Sequence, residues 1–432
     1  MEKNMGILIR SGRVLDAETG MDRICDMYID KGLIEEIGSG LLPHSQADQV
    51  LDASGKIVIP GLVDMHVHLR DPGFPEKEDM QSGSQAAARG GVTTLIAMPN
   101  TKPVIDNSRL YSEVMEKAGK VSPVHILQAG AMTMGQNGER MSDIEGMAAA
   151  GIRALSEDGK SVMNPVLCRE IMRKAAALDL VILDHCEDPQ LRGDGCMNED
   201  ENSRRLGLPG ISSLVEDTIT ARDMLLAADT GVKLHLCHVS TRGAAEMLRF
   251  ARQAGIKNIT AEVCPHHFIL SSDDIPGDDP DYKMNPPLRT RQDVEALRRG
   301  LAEGVIDVIS TDHAPHSAKD KEGSMRTAAF GIVGLETSFA LTYTYLVETG
   351  VLTLHQMIGK MCLNPARILG LSCGTLQPGR PADVVIADIS SPWRIDRNLF
   401  ASRGHNTPFQ GFEVRGKICC TMCGGRIVYR AG

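Results

Sequence analysis

Residues 61–73 read GLVDMHVHLRDPG, an apolar strand pattern that carries two histidines at alternating positions. Alternate side chains of a β-strand point to the same face, so His66 and His68 share one face while Val67 points to the other. At the end of a strand, two imidazoles on one face can bind a metal ion. Two partly buried structural histidines are the simpler alternative for this motif taken alone.

This stretch is the first of eight similar runs. Each is short, apolar and β-branched, and they are LVDMHVH (62–68), VTTLIAM (92–98), VHILQAG (124–130), IRALS (152–156), LVILDHC (180–186), VKLHLCH (232–238), ITAEVC (259–264) and VIDVIST (305–311). Segments with helical periodicity and glycines at C-cap positions separate them, such as SGSQAAARGG (82–91). Eight strand–helix units in about 250 residues predict a (β/α)8 TIM barrel, with a doubly wound open sheet as the alternative.

The two ends of the chain have a different pattern. Residues 5–59 and the part from about Gly374 onward alternate apolar and polar residues in short pieces separated by glycine. This pattern is typical of antiparallel strands joined by tight turns. We therefore expect a small β-sandwich domain built from both chain ends, with residues 1–58 as its N-terminal part, 59–366 as the barrel and 367–432 as its C-terminal part.

Composition narrows the class of protein. The 432 residues include 46 Lys plus Arg and 56 Asp plus Glu, a net charge of −10, which argues against a nucleic-acid surface. No stretch approaches the roughly 20 apolar residues that span a bilayer, and the first residues lack the apolar core of a signal peptide. Eleven cysteines in so long a chain are expected to be thiols. We expect a cytoplasmic globular protein that binds small molecules, without a nucleic-acid or membrane partner.

Histidine and aspartate side chains recur at the same end of the strand runs. In chain order they are His66, His68, Asp158, His185, His238 and Asp312. The carboxyl ends of the strands form the mouth of a TIM barrel, where active sites of this fold lie. Six nitrogen and oxygen donors that converge there are the ligands that two divalent cations need, so the sequence predicts a metal site.

Other candidates for metal binding are weaker. His235 lies three residues before His238, so the two cannot share a face of one strand, and we expect His235 outside the barrel. His266 and His267 are expected to line the seventh loop without binding metal. The CxxC motif at residues 420–423 lies in a predicted β-hairpin, and a structural zinc or redox role is the alternative.

Polar side chains that suit an anionic substrate accompany the metal donors. Arg70 follows His68 by two residues, Asn100 ends the second strand run, and Asn285 follows the seventh. Arginine can bind a carboxylate through two parallel hydrogen bonds and keeps its charge at any working pH. The alternative for Arg70 is a salt bridge at the rim. The set predicts a small substrate with carboxylate and amide groups.

These motifs together resemble the dihydroorotases, type I branch, of the amidohydrolase superfamily. The matching stretches are GLVDMHVHLRDPG, AMPNT, SEDG, DHCED, CHVST, YKMNPPLR, STDHAPH, FGIVGLE, GTLQPGRPADVVIAD and NTPFQG. The resemblance implies a metal-dependent, reversible interconversion of N-carbamoyl-L-aspartate and (S)-dihydroorotate in pyrimidine biosynthesis. It also implies Zn²⁺ as the cofactor, one or two ions per chain, and leaves a homodimer and docking to aspartate transcarbamoylase open.

The resemblance also implies roles for individual residues. Asp312 matches the catalytic acid/base as well as a metal ligand, and the metal ligands are His66, His68, Asp158, His185, His238 and Asp312. The substrate contacts it implies are His68, Arg70, Asn100, Asn285, His316, Phe330 and Gly331. The polar segment 317–329 is expected to form a mobile lid or a merely solvated loop.

Two departures from the family pattern bear on the alternatives. Glu157 precedes Asp158 where two aspartates are usual, and Cys264 stands where a serine is common. Dihydropyrimidinases and allantoinases typically use a carboxylated lysine as the bridging ligand, whereas the only nearby lysine here, Lys160, comes after Asp158 in the motif. A catalytically silent homologue that serves as a partner of aspartate transcarbamoylase would be expected to lack some of the metal ligands.

Overall fold

The structure, a computed structural model, describes residues 6–41 and 47–432. Its strands are β1 (Ile7–Asp16), β2 (Met21–Asp30), β3 (Leu33–Gly38), β4 (Gln49–Asp52), β5 (Ile57–Pro60), β6 (Leu62–Val67), β7 (Val92–Ala97), β8 (His125–Gln128), β9 (Gly130–Ala131), β10 (Ala154–Ser156), β11 (Val181–Asp184), β12 (Met197–Asn198), β13 (Gly210–Ile211), β14 (Lys233–Leu236), β15 (Ile259–Val263), β16 (Val308–Ile309), β17 (Val384–Asp388), β18 (Trp393–Arg394), β19 (Glu413–Val414), β20 (Lys417–Cys423) and β21 (Arg426–Arg430).

The helices alternate with the central strands. They are α1 (Met80–Arg89), α2 (Ser108–Val121), α3 (Ile144–Ala150), α4 (Pro165–Ala177), α5 (Pro189–Arg192), α6 (Glu201–Leu206), α7 (Leu214–Thr230), α8 (Arg242–Gln253), α9 (Pro265–Ile269), α10 (Arg291–Ala302), α11 (Ser338–Thr342), α12 (Leu354–Ile358) and α13 (Asn364–Ile368). Among these residues, no helix is long and apolar enough to cross a membrane. All eleven cysteines are free thiols.

Parallel strands form a closed barrel. Hydrogen bonds link β6–β7–β8 in one set and β9–β10–β11–β14–β15–β16 in another, and β8 and β9 belong to one run interrupted at Ala129. The two edges meet through a parallel bridge between Val67 and His313 and a 2.8 Å bond from His68 N to His313 O. Each of the eight predicted runs contains a strand of this barrel. The (β/α)8 prediction is confirmed, and the open-sheet alternative is wrong.

The core has two layers around the barrel wall. Apolar side chains from strands on opposite sides of the barrel, including Val63, Ile96, Leu183 and Val308, pack together inside it. A larger cluster lies between the strands and the helices. Polar caps fix where the helices begin: the Asp79 carboxylate, for example, accepts a 2.8 Å bond from Ser82 N at the start of α1.

Strands from both chain ends form a separate β domain, as predicted. Its eight-stranded sheet has the order β21–β20–β17–β5–β1–β2–β3, with β4 paired to β1 as well. Apolar residues from both ends, such as Ile9, Met27 and Ile386, form its own core. The predicted boundaries at residues 58 and 366 stay predictions. The sheet strand β5 ends at Pro60, and α13 ends at Ile368.

Candidate active site

Six predicted metal ligands lie together at the carboxyl ends of the barrel strands. The imidazoles lie at the ends of β6, β11 and β14, and the carboxylates follow β10 and β16. All six residues are less than a tenth exposed: His66, His68, Asp158, His185, His238 and Asp312. Two of them have left-handed backbone, His238 with φ +34° and Asp312 with φ +48°. This unusual conformation turns both side chains toward the barrel axis directly after their strands end.

Asp158 is at the centre of the cluster. Its Oδ1 lies 3.1 Å from His66 Nε2, 3.5 Å from His185 Nδ1 and 3.9 Å from His238 Nε2. Its Oδ2 lies 3.4 Å from His68 Nε2. Burial alone would raise the pKa of this carboxyl, but the charges of His66 and His68 hold it well below its usual range. One carboxylate therefore faces two groups of imidazoles, as a bridging ligand must.

Asp312 faces the same imidazoles from the other side. Its Oδ1 lies 3.2 Å from His68 Nε2 and 3.5 Å from His66 Nε2. Burial disfavours the ionised carboxylate, but the hydrogen bond with His68 and the neighbouring imidazoles lower its pKa to about 2. It lines the cavity described below, so an ionised oxygen is within reach of a bound molecule.

The hydrogen bonding of His66 fits a metal ligand. Its Nδ1 lies 3.0 Å from Glu262 Oε1, so with a cation bound in the cluster this nitrogen would keep its proton and Nε2 would offer its lone pair. Although Nε2 lies close to two carboxylates, it makes no hydrogen bond to any residue that the structure describes. A buried lone pair that faces carboxylate oxygens is suited to a shared cation. His185 Nδ1 and His238 Nε2 are only 2.9 Å apart, so both nitrogens can bind one metal ion.

His235 corrects one prediction. It lies inside the barrel, not outside, because its Nε2 is 3.2 Å from Glu262 Oε2 and Glu262 in turn contacts His66. Alternation places His235 on the inner face of β14, and His238 reaches the same interior only through its left-handed backbone after the strand. The parity argument failed because it extended strand geometry beyond Leu236.

Glu262 itself was missed by the sequence analysis. Its carboxylate is fully buried and contacts His66, His235 and Ser310. A carboxylate that accepts the second ring proton of a ligating histidine fixes the tautomer and the ring orientation. The strand pattern ITAEVC contained a signal for it, since a glutamate within an apolar strand run is unusual in a buried strand.

A cavity of about 200 Å³ opens above the cluster. Ten of the residues that line it were predicted as metal ligands or substrate contacts: His68, Arg70, Asn100, Asp158, His185, His238, Asn285, Asp312, Phe330 and Gly331. Four others also line it: Gly159, Glu187, Arg192 and Ala314. Sequence reasoning missed Glu187 and Arg192, whose Oε1 and Nε lie 2.7 Å apart. Hydrogen bonds from His185 and Asn285 help to lower the pKa of Glu187 to about 2 against the effect of burial.

Arg70 points its guanidinium into this cavity region from a strained position. Its backbone φ is +57°, its Nε donates to Pro315 O over 3.2 Å, and its Nη2 lies 3.3 Å from His316 Nε2. His316 Nε2 also lies 2.8 Å from Phe330 O, so this ring nitrogen donates to that carbonyl. The alternative for Arg70, a salt bridge at the rim, is absent among the described residues, where Asp71 instead pairs with Lys117 over 2.6 Å.

Asn100 contacts the cluster of predicted ligands, and Asn285 contacts Glu187 beside it. Asn100 Oδ1 lies 3.0 Å from His68 Nδ1, and its Nδ2 donates to Asp158 Oδ2 over 3.0 Å. Asn285 Nδ2 donates to Glu187 Oε2. Both amides line the cavity while they orient charged neighbours.

The predicted lid segment is anchored by several bonds. Lys321 Nζ donates to the carbonyl oxygens of Lys283, Ala329 and Gly331 at 3.0–3.2 Å. Met325 is fully buried, and its N donates to Asp278 Oδ1 over 2.6 Å. The segment leads directly into Phe330 and Gly331, so its position sets one wall of the cavity.

Comparison with known proteins agrees with this geometry. The family model described as dihydro-orotase-like matches residues 55–244. The dihydroorotase of Geobacter metallireducens is 45% identical, covering 99% of this chain and 100% of the relative, and that of Pelotomaculum thermopropionicum is 46% identical, covering 98% of each. The chain belongs to the dihydroorotase family.

Solved structures share the architecture of this dihydroorotase-family chain. The L-hydantoinase (dihydropyrimidinase) from Arthrobacter aurescens has a TM-score of 0.88 at 28% identity and covers 99% of this chain and 97% of its own. The D-hydantoinase (dihydropyrimidinase) from a Thermus species has a TM-score of 0.84 at 26% identity, covering 99% and 96%. The TIM-barrel amidohydrolase fold thus spans the whole chain.

The two departures from the dihydroorotase pattern lie outside the cluster of ligands. Glu157 accepts bonds from the N atoms of Met132 and Thr133 at 3.1 and 3.0 Å, which ties its loop to the neighbouring one. Cys264 is a buried thiol whose pKa burial raises well above the usual value. Neither residue displaces a predicted ligand.

Proposed function

We propose that this chain catalyses the dihydroorotase reaction, the reversible cyclisation of N-carbamoyl-L-aspartate to (S)-dihydroorotate and water in pyrimidine biosynthesis. The full-length similarity to dihydroorotases carries this proposal. The buried cluster of imidazoles and carboxylates beneath a small cavity supports it. A catalytically silent homologue would be expected to lack ligands, whereas this chain has all six of the residues proposed as ligands, buried and close together.

The metal site in this proposal takes zinc, one or two ions per chain. Histidine nitrogens and carboxylate oxygens are suitable zinc ligands, and His66 Nε2, which makes no hydrogen bond to any described residue, fits this use. The ligands would be His66, His68, Asp158, His185, His238 and Asp312. A divalent cation bound by such residues lowers the pKa of water and polarises a carbonyl group.

Asp312 transfers the proton. In the hydrolytic direction it accepts a proton from the attacking water and delivers it to the departing ring nitrogen, while the ring C–N bond breaks and a C–O bond forms. In cyclisation the nitrogen of the carbamoyl group attacks the carbon of the protonated side-chain carboxyl group, so a C–N bond forms and a C–O bond breaks. Asp312 takes the nitrogen's proton and passes it to the departing oxygen, which leaves as water. The buried, ionised state of Asp312 suits a group that first acts as a base in either direction.

The polar lining orients the substrate. Arg70, with His316 beside it, binds the substrate carboxylate, and Asn100, Asn285, His68 and the backbone at Phe330 and Gly331 bind the remaining polar groups. An ordered arrangement of this kind lets attack occur in one orientation and removes much of its entropic cost. The cytoplasmic location, a homodimer and docking to aspartate transcarbamoylase stay predictions.

A turnover assay with four cyclic amides tests the proposal. We expect the purified chain to hydrolyse dihydroorotate, and to act far more slowly on dihydrouracil, hydantoin and allantoin, which lack its carboxylate. Metal analysis of the same preparation should find zinc, and Asp312→Asn, purified in parallel, measures any background activity. Preferred turnover of hydantoin or dihydrouracil would instead favour the hydantoinase-like alternative that the structural similarity leaves open.

A further inference from the structure

A second cluster of metal-binding side chains lies at the amino-terminal end of the barrel strands, opposite the cavity. His125 is the first residue of β8, Cys423 is the last residue of β20, and Asp383 directly precedes β17. One nitrogen, one sulfur and one carboxylate oxygen of these residues lie within 4.8 Å of one another. The histidine comes from the barrel and the other two residues come from the β domain.

The spacing fits a tetrahedral ion. His125 Nε2 and Asp383 Oδ1 are 3.5 Å apart, and two tetrahedral zinc ligands with bonds of roughly 2.1 Å are separated by about 3.4 Å. Asp383 and Cys423 are only 4% and 3% exposed, whereas the His125 side chain is 53% exposed. The cluster is therefore largely shielded from water but keeps one open side through which an ion can enter.

Neighbouring groups orient these side chains. Gly424 N donates to Asp383 Oδ1 over 2.7 Å, and Cys423 Sγ lies 3.7 Å from Thr93 O on the barrel strand β7. Another thiol, Cys373, lies 3.9 Å from Thr94 Oγ1; burial raises its pKa to about 11, and the charges of Asp383 and Cys423 add to the rise.

Charge at this point favours a cation. Hydrogen bonds with Asp383 and Cys423 raise the pKa of His125 to about 10, so the two acidic groups stabilise positive charge at the imidazole. A simple ion pair between His125 and Asp383 would also use this charge, but it leaves the Cys423 thiol with no polar role beyond its contact with Thr93 O. Cys420, the other cysteine of the CxxC motif, packs into the core of the β domain, so the motif does not act as a pair.

We propose that His125, Asp383 and Cys423 bind a divalent transition-metal ion of the zinc class, which joins the base of the barrel to the β domain. Imidazole, carboxylate and thiolate together form a zinc donor set, and the base of a TIM barrel is associated with stability and not with catalysis. The site is independent of the proposed activity, because its ligands lie at the other end of the barrel.

Cobalt substitution of the full-length protein tests this proposal. The protein is stripped with a chelator, loaded with Co²⁺ alone and examined for thiolate-to-cobalt charge transfer in the near ultraviolet. Cys237 and Cys264 also lie near imidazoles of the barrel, so the part of the band that depends on Cys423 reports the second site. His125→Gln changes a half-exposed side chain and should fold, Cys423→Ser removes the thiol, and Cys419→Ser serves as a matched control on the same strand.

We expect the band in the parent protein and in Cys419→Ser, its loss in Cys423→Ser, and its loss or strong weakening in His125→Gln. Zinc analysis should show lower metal content in the last two variants, with dihydroorotate turnover largely retained. A parent protein without the band, or a band that keeps its full intensity in Cys423→Ser, would overturn the proposal. Turnover that fails in the parent protein while the band is present would count against the proposed function alone.

Discussion

Replacing Arg70 by methionine removes the positive charge that the proposed substrate needs. Among the residues that the structure describes, two arginines line the cavity, Arg70 and Arg192. Arg192 is already paired, because its Nε lies 2.7 Å from Glu187 Oε1. Arg70 uses one N–H on Pro315 O and lies beside the neutral ring of His316, whose pKa burial and the nearby cations lower to about 2. Its remaining donors are free to bind a carboxylate.

The size of the effect follows from the energy of one charge-assisted contact. Hydrogen bonds to charged groups contribute about 1.5–3 kcal/mol, which corresponds to about a 10- to 150-fold loss in kcat/KM at 1.36 kcal/mol per tenfold. Methionine keeps most of the side-chain volume, so the cavity should not collapse. The left-handed backbone at residue 70 is the same for both side chains, which limits the change in folding stability.

The assay compares dihydroorotate hydrolysis at several substrate concentrations with the zinc content of the same preparation. We expect reduced kcat/KM with unchanged zinc in Arg70→Met, and an intermediate value in Arg70→Lys, which keeps the charge but not the planar fork. Arg13→Met makes the same change at an exposed ion pair in the β domain and should behave like the parent. A kcat/KM for Arg70→Met within threefold of the parent would refute this role.

Three further predictions concern the cluster and the fold. Asp312→Asn should retain most of its zinc but lose about 10²- to 10⁴-fold in rate, and near-normal turnover would contradict its role in proton transfer. Protein from which the metal has been removed should regain activity when zinc is added in CO₂-depleted buffer, and Asp158→Ala should lose bound metal and activity together. A strict requirement for bicarbonate would exclude Asp158 as the ligand that bridges two metal ions. Burial raises the pKa of Glu336 to about 7, so its contribution to stability is full below about pH 4.5 and is lost as pH rises through 7. The free energy of unfolding, measured by urea titration, should therefore fall by about 3 kcal/mol more in the parent than in Glu336→Gln between pH 4.5 and 8. An equal pH dependence in the two proteins would disprove this.

The sequence predicted the barrel and the ligand set because both follow local rules. Strand runs such as VKLHLCH carry their own periodicity, and parallel barrel strands bring their carboxyl ends to one rim. His185 and Asp312 could therefore be grouped without knowledge of any distance. The predicted roles of individual residues stay predictions, although the structure brings all of the proposed ligands together.

The contacts that the sequence missed are non-local. Glu262 lies 196 residues from His66 in the chain, and Arg192 reaches the cavity from the short helix α5, which the sequence pattern did not predict. Strand periodicity gives the face of a side chain but not its partner across a barrel. Left-handed turns such as the one at His238 are also invisible to periodicity, since a histidine with positive φ has no strong local signal.

At the position proposed for the bridging ligand, the backbone compensates for a short side chain. Asp158 lies two residues beyond the end of β10, so the loop itself carries the carboxylate toward the barrel axis. Its N donates to Ser156 Oγ over 3.1 Å, and Asn100 fixes one of its oxygens. Glu157, next to it, anchors the loop to Met132 and Thr133 and thereby restricts Asp158 to this position. An aspartate is already a carboxylate at neutral pH and needs no reaction with CO₂, unlike a lysine that must be carboxylated. We therefore expect metal ions to bind here without bicarbonate.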